Sequence, residues 1–216
     1  MQVDEFFDLF TSYNEMYLVV IILTYVLAII ALFMAYRKND YSNRFISLTL
    51  TFLWLWIGLV YGILVFGPVP TVMAGIEYPG TWYLFGGVFV IHGIILLYFG
   101  VIKDTVSYTW KPDSRHYIGL LLILYGLVFY PLVGIFTGRV FLEYPIFGIA
   151  PCPVTLFTLG LLLWSDVRPS LPLMIIPIFW GFMGVVPVLF YEVYADIGTV
   201  LAAIITLYHY VKWPAA

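Results

Sequence analysis

Few side chains in this sequence could do chemistry, and they fall in three places. His92 lies in Phe89-Val-Ile-His92-Gly-Ile-Ile, in the middle of a long apolar stretch. An ionisable group at that depth is costly and marks a proton relay or a ligand contact. The alternative is a neutral imidazole that fixes packing against a neighbouring helix. His116 and His209 sit near the ends of their apolar stretches and read as interfacial residues. The second place is Pro151-Cys152-Pro153, which holds the only cysteine of the chain. One thiol cannot form an internal disulfide, and a soft metal would need further thiolate, thioether or imidazole ligands. A structural Pro-Cys-Pro turn is the favoured reading, with no metal and no cofactor. The third place is Glu192 and Asp196, four residues apart beside Tyr191 and Tyr194. Together they could hold a cation, or Asp196 could cap the helix that follows, which is the commoner use of such a residue. No nucleophile–base–acid set, nucleotide-binding loop or metalloprotease helix is present. The sequence predicts no catalytic residue and no enzyme.

The elements that must carry these residues follow from composition. Of 216 residues, 63% are hydrophobic and 10% charged, with a mean hydropathy of +1.04. A soluble domain carries about 25% charged residues, so most of this surface must face lipid. Crossing the hydrocarbon layer takes about 20 apolar residues. Seven stretches emerge: Met16–Ala35, Phe45–Phe66, Trp82–Ile102, Tyr117–Gly138, Pro145–Trp164, Leu171–Phe190 and Ile197–Val211, the last of them short and expected to borrow a turn from the preceding Glu192–Asp196 stretch. Arg37 is the first basic residue, which predicts that the first stretch is retained rather than cleaved as a signal peptide. The expected fold is an all-α integral membrane protein over residues 1–216, a bundle of about seven transmembrane helices.

The connecting segments orient this bundle. Arg37, Lys38, Arg44, Lys103, Lys111, Arg115, Arg168 and Lys212 fall on one side of the alternating scheme, and Arg139 alone on the other. Because cytoplasmic loops carry the excess of Lys and Arg, the N-terminus is predicted outside and the C-terminus inside the cytoplasmic membrane. The outer side is correspondingly acidic, with Asp4, Glu5, Asp8, Glu15, Glu77, Glu143, Glu192 and Asp196. Before the first span, Phe6, Leu9, Phe10 and Tyr13 follow helical spacing within residues 1–15, predicting a short helix on the outer membrane surface.

Glycine and proline modulate the spans. Gly86, Gly93 and Gly100 recur every seven residues on segment 3, and Gly119 and Gly126 do so on segment 4. Small residues let membrane helices approach closely, so segment 3 is predicted to pack on segment 4, with His92 turned inward. Pro145, Pro151 and Pro153 crowd the start of segment 5. They predict an irregular entry that becomes helical near Val154 and is sheltered by other helices or lines a cavity. Pro131, Pro172, Pro177 and Pro187 predict kinks in segments 4 and 6.

Tyr130-Pro131-Leu-Val-Gly134, Tyr144-Pro145, Phe147-Gly148 and Pro151-Cys152-Pro153-Val-Thr155-Leu-Phe157-Thr158-Leu-Gly160 carry a resemblance, as do Tyr13-Asn14 and Leu53-Trp54-Leu-Trp56-Ile-Gly58. The sequence is similar to a family of prokaryotic multi-pass membrane proteins known only as domain-of-unknown-function family 6064. Many members carry His after the Gly that ends segment 4, where this chain has Arg139. The resemblance implies a membrane location and no activity.

Two functional expectations result. One is a small-solute permease or channel-like protein with its site between broken segment 5 and the His92 face of segment 3. The residues expected there are His92, Pro151, Cys152 and Pro153, with Glu192 and Asp196 at the outer mouth. The other is a non-transporting sensor, assembly factor or accessory subunit. The expected partners are the lipid bilayer and, through exposed helix faces, a second copy or another membrane protein. A net charge of −3 gives no argument for nucleic acid.

Overall fold

The computed structural model describes residues 3–73 and 75–213, so the expectations for residues 1, 2 and 214–216 lie outside the described residues. The helices run in the order α1 (Val3–Met16), α2 (Leu18–Tyr36), α3 (Ser42–Val65), α4 (Thr81–Ile102), α5 (Ser114–Phe136), α6 (Pro151–Leu163), α7 (Leu171–Tyr191) and α8 (Asp196–Val211). Five of them, α2, α3, α4, α5 and α7, are long and apolar enough to cross a membrane. The other two expected spans, α6 and α8, are apolar but only 13 and 16 residues long. A short antiparallel hairpin, β1 (Thr71–Met73) with β2 (Ile76–Tyr78), joins α3 to α4 and pairs Val72 with Glu77.

The bundle is built around α6. All 13 of its residues are buried, although its length gives only about 20 Å of helix. Its neighbours approach through small residues. A Cβ built on Gly119 of α5 would lie 2.7 Å from the Gly160 carbonyl oxygen of α6, and one on Gly160 would lie 2.6 Å from the Gly119 oxygen. On another side, Trp54 of α3 donates its indole N–H to the Thr158 hydroxyl at 3.0 Å. The glycine seam of segment 3 meets α3, not the α5 helix that the sequence reading chose. Gly86 lies against Gly58 and Gly62, Gly93 against Leu55, and Gly100 against Ser47. The reason is that α3 brings its own pair of glycines one turn apart, while Gly119 and Gly126 of α5 are already occupied by α6.

Three helices contain wide π-helical stretches, at Ile57–Val65, Leu97–Ile102 and Tyr125–Phe129. The third ends one residue before the Tyr130–Phe136 α-helical turn that carries Pro131, as expected where a proline disturbs the hydrogen-bond ladder upstream of itself. Helix α7 is interrupted at Gly184, between Leu171–Met183 and Val185–Tyr191.

The short connections group by charge. Asp166 gathers Lys38 at 3.1 Å and Lys111 at 2.5 Å, and accepts from Ser107 at 3.0 Å and Thr109 at 2.8 Å. The backbone joins in, with Trp110 N–H donating to the Ala35 carbonyl and Thr109 N–H to that of Trp164. Burial pushes the Asp166 carboxyl up, but hydrogen bonds from Lys111, Thr109, Lys38 and Ser107 outweigh it and hold it well below the usual carboxylate range. Asp113 behaves similarly: burial raises it, while the side-chain and backbone hydrogen bonds of His116 lower it further. One end of the bundle thus carries the basic loops, and the opposite end carries α1, the hairpin and the 137–150 connection.

Candidate functional site

The irregular entry to segment 5 decides the shape of that opposite end. Tyr144 to Ala150 are buried without helical structure, so their carbonyls need partners from elsewhere. Asn14 Nδ2 donates to the carbonyls of Leu142 (2.6 Å) and Tyr144 (2.9 Å). The Tyr13 hydroxyl donates to Ile149 at 3.0 Å, and Ala150 N–H to Ile146 at 3.1 Å. Gly148 adopts φ +91° and lies against Thr24 of α2, where no side chain would fit. Helix α6 then starts at Pro151, three residues earlier than expected. Pro151 and Pro153 occupy its first turn, where an absent N–H costs no hydrogen bond.

Supplying those donors draws α1 into the protein, and this corrects the expectation of a surface helix. The apolar spacing holds, but Phe6, Phe7, Phe10, Tyr13 and Asn14 are buried against the bundle rather than against lipid. Phe6 stacks on Tyr191 at 4.5 Å, Phe7 on Tyr144 at 5.9 Å, and Phe10 meets Phe66 at 5.2 Å. At the surface of α1, Arg139 holds Asp4 through both terminal guanidinium nitrogens at 3.1 Å and lies 4.1 Å over the Phe7 ring.

Beneath α1 is a partly enclosed cavity of about 110 Å³ with almost wholly apolar walls. Phe6 and Phe10 line it from α1, Tyr61 lies between Phe10 and Trp82, the rings of Trp82, Phe85 and Trp180 pack on one another, and Tyr130 adds a further ring. Phe89 props Trp180 edge-on at 4.7 Å. Thr71 of the hairpin and Tyr191 of α7 close the end toward the hairpin. They are latched together, because the Tyr191 hydroxyl accepts from Val72 N–H at 3.2 Å and donates to the Val72 carbonyl at 3.0 Å. Pro151, Cys152 and Asp196 complete the lining.

Asp196 is the first residue of α8 and does not cap it; its side chain is 1% exposed and turned into the bundle. Its Oδ1 accepts from the Tyr130 hydroxyl at 2.8 Å and from Thr199 at 3.0 Å, and the Cys152 thiol lies beside it. Both donors to Oδ1 are uncharged. The indole N–H of Trp180 lies beside the same thiol, buried and without a hydrogen-bond partner.

The structure thus brings Pro151, Cys152 and Asp196 together and separates the other three expected residues. Glu192 ends α7 in the left-handed conformation, φ +57°, and is exposed, so it forms no pair with Asp196. Pro153 is buried and presents its carbonyl to Gly126. His92 lies outside the cavity, fully buried, with its ring 4.3 Å from that of Trp54 and neither nitrogen hydrogen-bonded. The cavity thus takes in the start of segment 5 and the Trp82–Phe85 turn of segment 3, with α1 and α7, and does not reach His92. Sequence reasoning missed Tyr130, Trp180 and Tyr191 as cavity residues. In a chain that is 20% aromatic, nothing distinguishes a cavity tyrosine from an interfacial one. Among the described residues no group of three or more His, Cys, Asp or Glu is placed to hold a metal ion.

No functionally curated protein and no solved structure matches the chain. A family model does, over residues 3–214. The chain belongs to the family of unknown function DUF6064.

Proposed function

We propose that this chain is a seven-span protein of the cytoplasmic membrane, N-terminus outside and C-terminus inside, that binds a small solute in the aromatic cavity. Its role on this reading is binding or passage of the solute, in the manner of a small permease, and not catalysis. The observation that carries the proposal is the cavity itself. A bundle that buries α6 over its whole length and pairs the carbonyls of a broken segment nevertheless leaves about 110 Å³ empty beside Cys152. Concave, mostly apolar sites with a few convergent polar groups are the usual form of a ligand site. The orientation is supported by the gathering of the Lys38, Lys111, Arg115 and Arg168 segments at one end, since basic loops face the cytoplasm.

Two measurements test this reading. A reporter fused within the 103–113 loop should read cytoplasmic, and one after the Tyr78–Gly80 turn should read outside. Purified protein should gain thermal stability with small uncharged solutes, and Val186→Trp, which fills the cavity, should abolish the gain. A cytoplasmic signal from the hairpin would overturn the topology, and indifference to every solute tried would overturn the binding role.

A further inference from the structure

The walls of the cavity are unequally exposed, and the inequality has a direction. Toward the acidic end, Phe6, Phe10, Thr71 and Tyr191 are all buried. The aromatic stack of Phe6 on Tyr191, the Tyr191–Val72 hydrogen bonds and the Arg139–Asp4 pair hold that roof in place. The half-exposed lining residues are on two helices only: Thr81, Trp82 and Phe85 of α4, and Met183, Val186 and Pro187 of α7. The surface beside them is apolar, with Leu84 67% and Leu189 68% exposed. The cavity therefore opens sideways between α4 and α7, onto the face that meets lipid in the proposed membrane arrangement.

We infer that the ligand is a small lipophilic molecule bearing one hydrogen-bond acceptor, and that it enters from the bilayer through the α4–α7 gap. The inference rests on the solute-binding reading above and specifies its chemistry. Size follows from volume, because an apolar cavity of about 150 Å³ stays dry and admits benzene; 110 Å³ suits a ring or chain slightly smaller. Apolarity follows from the walls, whose one carboxyl already accepts at Oδ1 from Tyr130 and Thr199. The acceptor follows from Trp180, whose indole N–H can only donate and has no partner. A ketone, ether or alcohol oxygen would meet that need, and a hydrocarbon would not.

Cys152 reports on the route. In proteoliposomes, N-ethylmaleimide, which is neutral and partitions into lipid, should modify it several-fold faster than a charged methanethiosulfonate, relative to the same pair of rates in the unfolded chain. Val186→Phe should slow the neutral reagent, and Phe6→Ala should speed the charged one. Faster modification by the charged reagent in the native protein would overturn the lateral route, as would a Val186→Phe variant that labels at the native rate. For the chemistry, cyclopentanone should raise the melting temperature more than cyclopentane, and Trp180→Phe should remove the difference. Equal shifts in the native protein would refute the acceptor requirement while leaving solute binding intact. No shift with either, together with an inert Cys152, would overturn the binding reading as well.

Discussion

The side-chain amide of Asn14 bridges the carbonyls of Leu142 and Tyr144, 128 and 130 residues away in sequence. This couples the first helix to a buried connection that has no helical structure of its own. Replacing Asn14 by Ala removes both bonds and leaves at least one buried carbonyl unpaired, which costs about 1–3 kcal/mol per group. The variant should unfold at lower temperature in mild detergent, and Asn14→Asp, which loses the donor but keeps the shape, should do the same. If Asn14→Asp melted like the native protein, the amide would not be what holds the segment.

Two glycines on facing helices give a matched pair of substitutions. A Cβ on Gly62 would lie 2.6 Å from the Gly86 Cα, backbone that cannot move aside, whereas one on Gly87 meets nothing within 4 Å. Gly62→Ala should therefore be destabilising or fail to fold. Gly87→Ala should be neutral or gain up to about 1 kcal/mol from helix propensity. The melting temperatures of the two variants should fall on opposite sides of, or far from equally below, the native value.

His92 is expected to tolerate loss of its imidazole. Both nitrogens are buried without partners beside Trp54, and an unpaired buried polar group costs about 1–3 kcal/mol. His92→Leu should be at least as stable as the native protein and should retain the solute-induced thermal shift. A marked loss of either property would show that the ring has a partner which binds only in the working protein.

Asp166 should give the basic end a defined acid sensitivity. Its carboxyl is held below its ordinary value in the folded protein, so the stability it contributes is complete above the unfolded value of about 3.9. That contribution disappears as the pH falls through the lower folded value. The stability gap between native protein and Asp166→Asn should thus be constant from neutral pH down to about 5 and narrow only below about 4. A gap that closed between pH 7 and 5 would mean that some other group carries the effect.

The broad fold is legible in the sequence because lipid imposes a simple rule on segment length and charge. The apolar runs appear as helices, and Lys38, Lys111 and Arg115 do meet near Ser165 and Asp166 at one end. Pairing is less legible. Gly86 could have served α3 or α5, and only the geometry of Gly58 and Gly62 decides between them. The amphipathic spacing of Phe6, Phe10 and Tyr13 announces an apolar partner without saying whether it is lipid or protein. The decisive clue was polar: Asn14 continues that face, and a carboxamide there is better explained by a carbonyl to bind than by hydrocarbon. Asp196 misled for the opposite reason, since its position suits a cap while its side chain accepts from Thr199 one turn on and from Tyr130, 66 residues distant.

The burial of α6 also bears on how the protein is made. A helix of 13 residues reaches about 20 Å, against about 30 Å of hydrocarbon. Emerging from a ribosome, it is too short to settle across a bilayer as an independent span, and its entry segment has carbonyls that α1 and α2 pair. Helices α2 to α5 are synthesised first and offer it one half of its surroundings, through Gly119 and Trp54. Helices α7 and α8 come afterwards and cover the rest. Chain order therefore becomes assembly order, and a chain released before Leu171 would expose its own centre.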